Sequence, residues 1–375
     1  MSYCSIRCGG PSVNPPGCLP ERQDVMDVSN HLSDAIQARE RIVTVNPEDT
    51  VTTAAKRMAE NGIGCLIIAD EQHKLVGVVS ERDIIDNVVG AAADSVDPLK
   101  KLVRDIMTTN VVTCSPGTSI DTVQKSMIET RTRHLPVMDN GIAIGMISTR
   151  DVMAYQCDKA NTTRDITIFA MAKLAESRDP ETGSHLERVC SYTRTLAEEL
   201  ATTEKYAEII DDEFIRLIYS TAPLHDIGKI GIPDHVLLKP GRLDDREFEI
   251  MKKHAALGAD TLNLALKRYP EAEYLLMARD IAASHHERVD GLGYPGGLVG
   301  DEIPLSARIF APADVYDALV SKRIYKSAFT HDVAKSILIE GKGTQFDSDV
   351  IEAFLCHEHD FLQIKERYKD TELAA

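Results

Sequence analysis

The chain has 375 residues, 43% hydrophobic and 27% charged, an ordinary make-up for a soluble globular protein and long enough for two or three cores. Its formal net charge of −17, from 59 acidic against 42 basic residues, argues against the basic face that duplex nucleic acid requires. Apolar runs stop well short of the roughly 18 residues of a membrane-spanning helix, so no membrane partner is expected either.

Residues 1–27 are rich in Gly, Pro and Ser and lack an apolar core, so they read as a disordered leader and not a signal peptide. The cytoplasm is then the expected compartment. Cys65, Cys114, Cys157, Cys190 and Cys356 are scattered, which suits reduced thiols, and the spacing of Cys4, Cys8 and Cys18 fits no zinc pattern well.

A repeat follows. Residues 43–60 align with 112–129 at an offset of 69, and 77–85 align with 145–153 at an offset of 68. In each copy Thr50 or Ser119 is placed to cap an amphipathic helix, whose apolar positions in the first copy include Val51, Ala54, Ala55 and Met58. A strand (65–69; 135–138), a turn (71–74; Asn140-Gly141), a second strand (75–79; 142–147) and a short helix complete the unit. At about 60 residues each copy needs its twin to complete a core.

With Pro47 and Pro116 after the first short strand, and Gly-x-x-Ser-x-Arg-Asp closing both copies, residues 28–156 resemble a tandem pair of CBS domains, a Bateman module. The resemblance implies a pseudo-two-fold α/β pair with clefts for adenine nucleotides, AMP, ADP or ATP. Ser80 with Asp83 and Ser148 with Asp151 lie at strand-to-helix junctions, where backbone N–H groups favour phosphate and a carboxylate accepts from ribose. The same Ser-x-x-Asp spacing is equally a capping box that only starts a helix.

Residues 157–168 are polar and read as a linker, with Thr163 and Asp165 placed to start the next helix. Helical spacing then dominates over 192–200, 214–224, 246–266, 272–286, 309–319, 333–339 and 349–355, so residues 169–375 are expected to be an all-α domain. The expected architecture is multidomain: an α/β pair followed by a helical domain.

The helical half carries a distinctive set of side chains. Glu181 and His185 are spaced i, i+4; His225-Asp226 ends an apolar run, with Lys229 beyond; His254 falls mid-helix on an apolar side; His285-His286 ends another helix; Asp314 sits among apolar neighbours. Singly, each is better explained as a hydrogen-bonded core residue or a cap. Together on successive helices they can converge as a carboxylate-and-histidine metal site, and the absence of thiolate favours catalytic Fe, Mn, Co or Zn over structural zinc.

The strings Asp179-Pro180-Glu181-Thr182-Gly183-Ser184-His185, His225-Asp226-Ile227-Gly228-Lys229, Lys252-Lys253-His254, 285–295, Asp314-Val315-Tyr316-Asp317 and Arg323-Ile324-Tyr325-Lys326 occur in this order. On them, residues 165–365 resemble the HD-GYP phosphohydrolases. That resemblance implies an HD-superfamily helical fold and hydrolysis of cyclic di-GMP to pGpG and on to GMP. It implies two or three divalent metals, iron or manganese, on Glu181, His185, His225, Asp226, His254, His285, His286 and Asp314. Glu181 favours the third metal, and Asp226 becomes the bridging, catalytic ligand. Lys229, Arg323 and Lys326 are expected at the phosphate, although Lys229 also suits neutralising a carboxylate. Gly293, Tyr294 and Pro295 are expected beside a base, or else form a plain turn. A homodimer is expected from both modules. Two alternatives stand beside this reading: a receptor that binds cyclic di-GMP without cleaving it, and a phosphohydrolase for cyclic GMP-AMP or another nucleotide.

Overall fold

The computed structural model describes residues 42–90, 97–178, 184–321 and 328–369. The expected leader, Glu181, Arg323 and Lys326 lie outside the described residues. Two compact units divide between Asn161 and Thr162.

The first unit contains both repeats. In the first, β1 (Thr44–Val45) runs parallel to β2 (Cys65–Ala69), which pairs antiparallel with β3 (Leu75–Ser80). Helix α1 (Val51–Asn61) lies between β1 and β2, and α2 (Glu81–Gly90) follows β3. The second repeat places α3 (Ile120–Thr130) before the hairpin β4 (His134–Asp139) and β5 (Ile142–Ser148). An isolated parallel bridge from Cys114 to Val137 takes the place of the β1–β2 pairing.

The two copies begin and end their first helices alike. The Thr50 and Ser119 hydroxyls accept from the backbone N–H of Thr53 and Thr122. Both helices stop on a left-handed residue, Gly62 at φ 62° and Arg131 at φ 54°. Glycine meets that conformation without a Cβ clash, whereas the arginine adopts it at some steric cost. Ala54, Met58, Leu66, Ile68 and Val79 fill one core, and Val123, Met127, Leu135, Val137 and Ile147 fill the other.

The stretch expected as a linker is helical. Helix α4 runs Thr149–Glu176 without interruption, and Thr163 and Asp165 start nothing new. No Gly or Pro occurs within it, so nothing in the backbone stops a helix once Ser148 has started one.

The second unit is helical: α5 (His185–Ala201), α6 (Asp212–Thr221), α7 (Asp234–Leu237), α8 (Asp245–Met251), α9 (Lys253–Leu266), α10 (Glu273–Ser284), α11 (Leu305–Val320), α12 (His331–Glu340), α13 (Ser348–Cys356) and α14 (Glu358–Arg367). Two expectations change here. The run 214–224 is not one helix: α6 ends at Thr221 and a tighter 3-10 segment, Ala222–Gly231, carries the chain onward, with Pro223 at its start. Proline lacks the N–H that an α-helix interior needs, which accounts for the change of pitch. The run 246–266 is likewise split at Lys252, so His254 sits in the first turn of α9 and not in mid-helix.

Ile168, Ala172, Leu186, Leu224, Leu262 and Leu275 form the core on one side of these helices. On another, Tyr192 stacks on Phe361 at 4.4 Å, and Tyr316 meets both rings edge-on. Among the described residues no helix is long and apolar enough to cross a membrane.

Candidate metal centre

His225 and Asp226 lie in the 3-10 segment, which packs closely on α9. At Gly228 an added Cβ would stand 1.9 Å from the His254 carbonyl oxygen and 2.5 Å from the Gly258 nitrogen, so only glycine permits this approach. The approach places Asp226 beside His254: Asp226 Oδ1 lies 3.3 Å from His254 Nε2 and 3.7 Å from His285 Nε2. The second oxygen, Oδ2, lies 3.1 Å from His225 Nε2 and 2.8 Å from Lys229 Nζ. One carboxylate thus faces two groups of imidazoles at once.

Those groups are His254, His285 and His286, and His185, His225 and Asp314. Within each, one ligand atom per residue lies within 4.8 Å of the others. Helix α5 supplies His185 as its first residue, the end of α10 leads into His285 and His286, and α11 supplies Asp314.

The backbone fixes how the rings point. Nδ1 of His225 faces the Ala222 carbonyl at 3.0 Å, Nδ1 of His254 the Met251 carbonyl at 2.7 Å, and Nδ1 of His285 the Ile281 carbonyl at 3.1 Å. A carbonyl only accepts, so each Nδ1 carries a hydrogen, and in a neutral ring Nε2 turns its lone pair inward. Nε2 of His254 and Nε2 of His285 then face each other at 3.3 Å, and Asp226 Oδ1 is buried without a hydrogen-bond partner. Lone pairs at that separation repel unless a cation lies among them.

A proton does not fill that role. Burial holds His254 below the usual imidazole range, with Asp226 opposing the shift only in part. Burial, reinforced by His286, holds His285 far below it, and burial brings His286 down to about 3. These rings are neutral near pH 7. His225 differs: burial opposes its charge, yet Asp226 and Asp314 raise it above the usual value. Asp226 is held well below the usual carboxylate range by Lys229 and His225, against its own burial. Neutral imidazoles and ionised carboxylates are the forms that ligate a divalent metal; His254, His285, His286 and Asp226 already have them, and a cation at His225 would displace its Nε2 proton, so the residues fit one.

Residues 170–350 match the family model of the HD domain, and residues 32–90 and 103–158 match that of the CBS domain. The chain is a tandem-CBS, HD-domain protein. A cyclic di-GMP phosphodiesterase of Vibrio cholerae is 45% identical to it over 257 residues, which is 68% of this chain and 52% of that one. A probable cyclic di-GMP phosphodiesterase of the same organism is 50% identical over 212 residues, 56% of this chain and 48% of its own. A 3'3'-cGAMP-specific phosphodiesterase 2, also from Vibrio cholerae, is 39% identical over 213 residues, 57% and 38%. The chain therefore spans about half the length of the first two.

Lys229 in this HD domain stands 2.8 Å from Asp226 Oδ2, where it offsets the carboxylate's charge. Gly293 has no open space beside it: a Cβ there would meet the Arg288 nitrogen at 2.4 Å, so it packs on its own loop. The Tyr294 ring lies 4.7 Å from the His286 ring, Lys252 Nζ stands 5.7 Å over it, and Pro295 follows through a cis peptide bond. The buried Glu287 holds this loop by accepting from the N–H groups of Gly296 (2.6 Å) and Leu298 (3.1 Å).

Three supporting residues went unassigned in the sequence: Asp317, Arg188 and Gly228. Asp317 Oδ2 lies 2.8 Å from His185 Nδ1, and the Arg188 guanidinium donates to both of its oxygens, at 2.6 and 3.0 Å. Asp317 follows Asp314 by three residues and Arg188 follows His185 by three. That helical spacing is the signal that could have found the pair.

In the CBS unit, Ser80 Oγ and N–H both donate to Asp83 Oδ2, at 2.6 and 2.7 Å, and Ser148 repeats this with Asp151 at the same distances. Both pairs are capping boxes for α2 and α4. A cleft of about 630 Å³ opens between the repeats, and Asn61, Glu81, Arg133, His134, Ser148 and Arg150 are among the residues lining it.

Proposed function

We propose that the HD domain is a metal-dependent phosphodiesterase that hydrolyses cyclic di-GMP to pGpG or GMP. The observation that carries the reading is the buried convergence of imidazole Nε2 atoms on both oxygens of Asp226. His185, His225 and Asp314 would hold one metal and His254, His285 and His286 another, with Asp226 shared and Glu181 available for a third. Iron and manganese suit the imidazole-carboxylate set.

When bound, paired divalent metals lower the pKa of a coordinated water and clamp the phosphate oxygens. The chain's own residues prepare the rest. Backbone carbonyls fix the tautomer of each ring, and Asp226 stays ionised through Lys229. Arg323, Lys326 and Lys229 would offset phosphate charge as it builds. Tyr294, beside His286, offers a face for a base, and Glu287 holds its loop in place.

A cyclic GMP-AMP substrate is the second reading, supported by the 39% identical relative with that specificity. The cleft between the repeats supports a regulatory nucleotide such as AMP or ATP, its arginines matching phosphate and its carboxylate a ribose. A second copy of the chain is the proposed partner in a homodimer. The test is a chromatographic assay of the manganese- or iron-loaded chain against cyclic di-GMP, cyclic GMP-AMP and linear dinucleotides, with and without AMP or ATP. Conversion of cyclic di-GMP to pGpG or GMP is expected; tight binding without turnover would replace the enzyme with a receptor.

A further inference from the structure

The histidines of the centre are not held alike. Nδ1 of His225, His254 and His285 each faces a neutral backbone carbonyl. Nδ1 of His185 faces a carboxylate, Asp317 Oδ2, at 2.8 Å. That carboxylate is 1% exposed, and its oxygens take Arg188 Nε at 2.6 Å and Nη2 at 3.0 Å, with the Ser321 hydroxyl also near Oδ2 at 3.3 Å. Arg188 is itself fixed, donating to the Ser321 hydroxyl and to the Tyr368 carbonyl, both at 3.0 Å. Helix α5 thus presents His185 and Arg188 on one face, α11 presents Asp314 and Asp317 on one face, and the two pairs interlock.

We infer that Asp317, locked by Arg188, is a positioning residue that makes the His185–His225–Asp314 position chemically distinct from the His254–His285–His286 position. The inference rests on the metal reading proposed above. An anionic acceptor at Nδ1 makes the imidazole a stronger donor at Nε2 than a carbonyl does, and it fixes both tautomer and ring orientation. The two halves of the centre then differ in affinity, with Asp317 acting on one half alone. Arg188 sets the sense of this arrangement. Its Nε–H makes the shorter bond, 2.6 Å to Oδ1, so an Asn at 317 would keep its carbonyl oxygen there and place its amide NH2 at the Oδ2 position, towards His185 and against Arg188 Nη2. The ring would then be driven to carry its hydrogen on Nε2, where it cannot ligate.

The experiment is a Mn²⁺ titration of the full metal-stripped chain, followed by electron paramagnetic resonance and calorimetry, for the wild type, Asp317→Asn and Asp317→Glu. Circular dichroism of each metal-free protein monitors the fold. The wild type should bind in at least two classes. Asp317→Asn should weaken one class by about 10- to 100-fold and leave the other unchanged. Asp317→Glu, which restores an anion, should recover part of the loss. Equal weakening of both classes, or no change in either, would overturn the inference while leaving the metal reading intact. Should Asp317→Asn fail to fold, Asp317→Glu decides: a folded protein with unaltered affinity in every class overturns the inference, and a selective shift upholds it. A wild type that takes up no Mn²⁺ would overturn the metal reading and this inference with it.

Discussion

Nε2 of His254 and Nε2 of His285 face each other at 3.3 Å, each ring with its Nδ1 turned to a backbone carbonyl. Neither nitrogen has a hydrogen to offer the other, and burial holds both rings neutral. Asp226 Oδ1, 3.3 Å from the first and 3.7 Å from the second, adds a negative charge to the same space. The fold maintains this unfavourable grouping through tight backbone packing, and a bound cation would relieve it.

Gly228→Ala tests that packing. The new Cβ would collide with backbone atoms of α9, which cannot swing aside as a side chain does. A loss of about 1–3 kcal/mol is expected from overpacking, together with reduced metal uptake because Asp226 and His254 are forced apart. Thermal melts and metal content per chain measure both; wild-type values in each would show that the contact yields freely.

Acid should destabilise the metal-free protein. His286 titrates at about 3 in the fold against about 6.5 in an unfolded chain, and His254 and His285 are displaced in the same direction. Below pH 6.5 the unfolded chain binds protons that the folded chain refuses, so stability is complete above 6.5 and falls progressively toward pH 3. Asp226, held low, adds to the acid end, while His225, held high, runs the other way. Melting temperature against pH in the presence of a chelator is the measurement, and a flat profile from pH 7 to 4 would contradict the assignment.

Asp151→Ala should behave as a lost cap. Its carboxylate bonds the Ser148 hydroxyl and N–H at the start of α4, and removing it is expected to cost about 1 kcal/mol in chemical denaturation. Nucleotide affinity at the CBS pair should stay within twofold, because the cleft is lined by Arg133, His134 and Arg150 and not by Asp151. A tenfold loss of affinity would make Asp151 a ligand after all.

Glu287→Gln should loosen the loop that carries Tyr294. One carboxylate accepts from two backbone N–H groups, and an amide can turn only one oxygen to them. The expected effect is a rise in KM of a few-fold for a dinucleotide, with metal content unchanged. Loss of metal would show that the loop also supports His286.

Much of this arrangement was legible before any coordinates. The repeat offsets matched Thr50 to Ser119 and Ser80 to Ser148, and the helix caps fall on those residues because hydroxyls at such junctions have one obvious partner, the free backbone N–H. The histidines and carboxylates stood out because His254 and Asp314 lie among apolar residues, His225-Asp226 and His285-His286 close apolar or helical runs, and Glu181 and His185 are one turn apart. What could not be read is how the chain bends locally. Pro223 sets the 3-10 pitch from Ala222 and the lack of Gly or Pro keeps α4 unbroken, signals that apolar spacing alone does not register, and the break at Lys252 carries no such mark. Asp317 and its partner Arg188 are 129 residues apart, and only the fold brings them together.

The most direct test counts metal in the chain purified anaerobically with iron or manganese, wild type beside Asp226→Ala, and follows cyclic di-GMP in the same samples. Two or three metals per wild-type chain are predicted, with turnover. In the variant the count should fall and the rate should drop by roughly 10³-fold or more, as expected when several kcal/mol of transition-state stabilisation is lost. A variant that keeps both its metals and its hydrolysis would contradict the account.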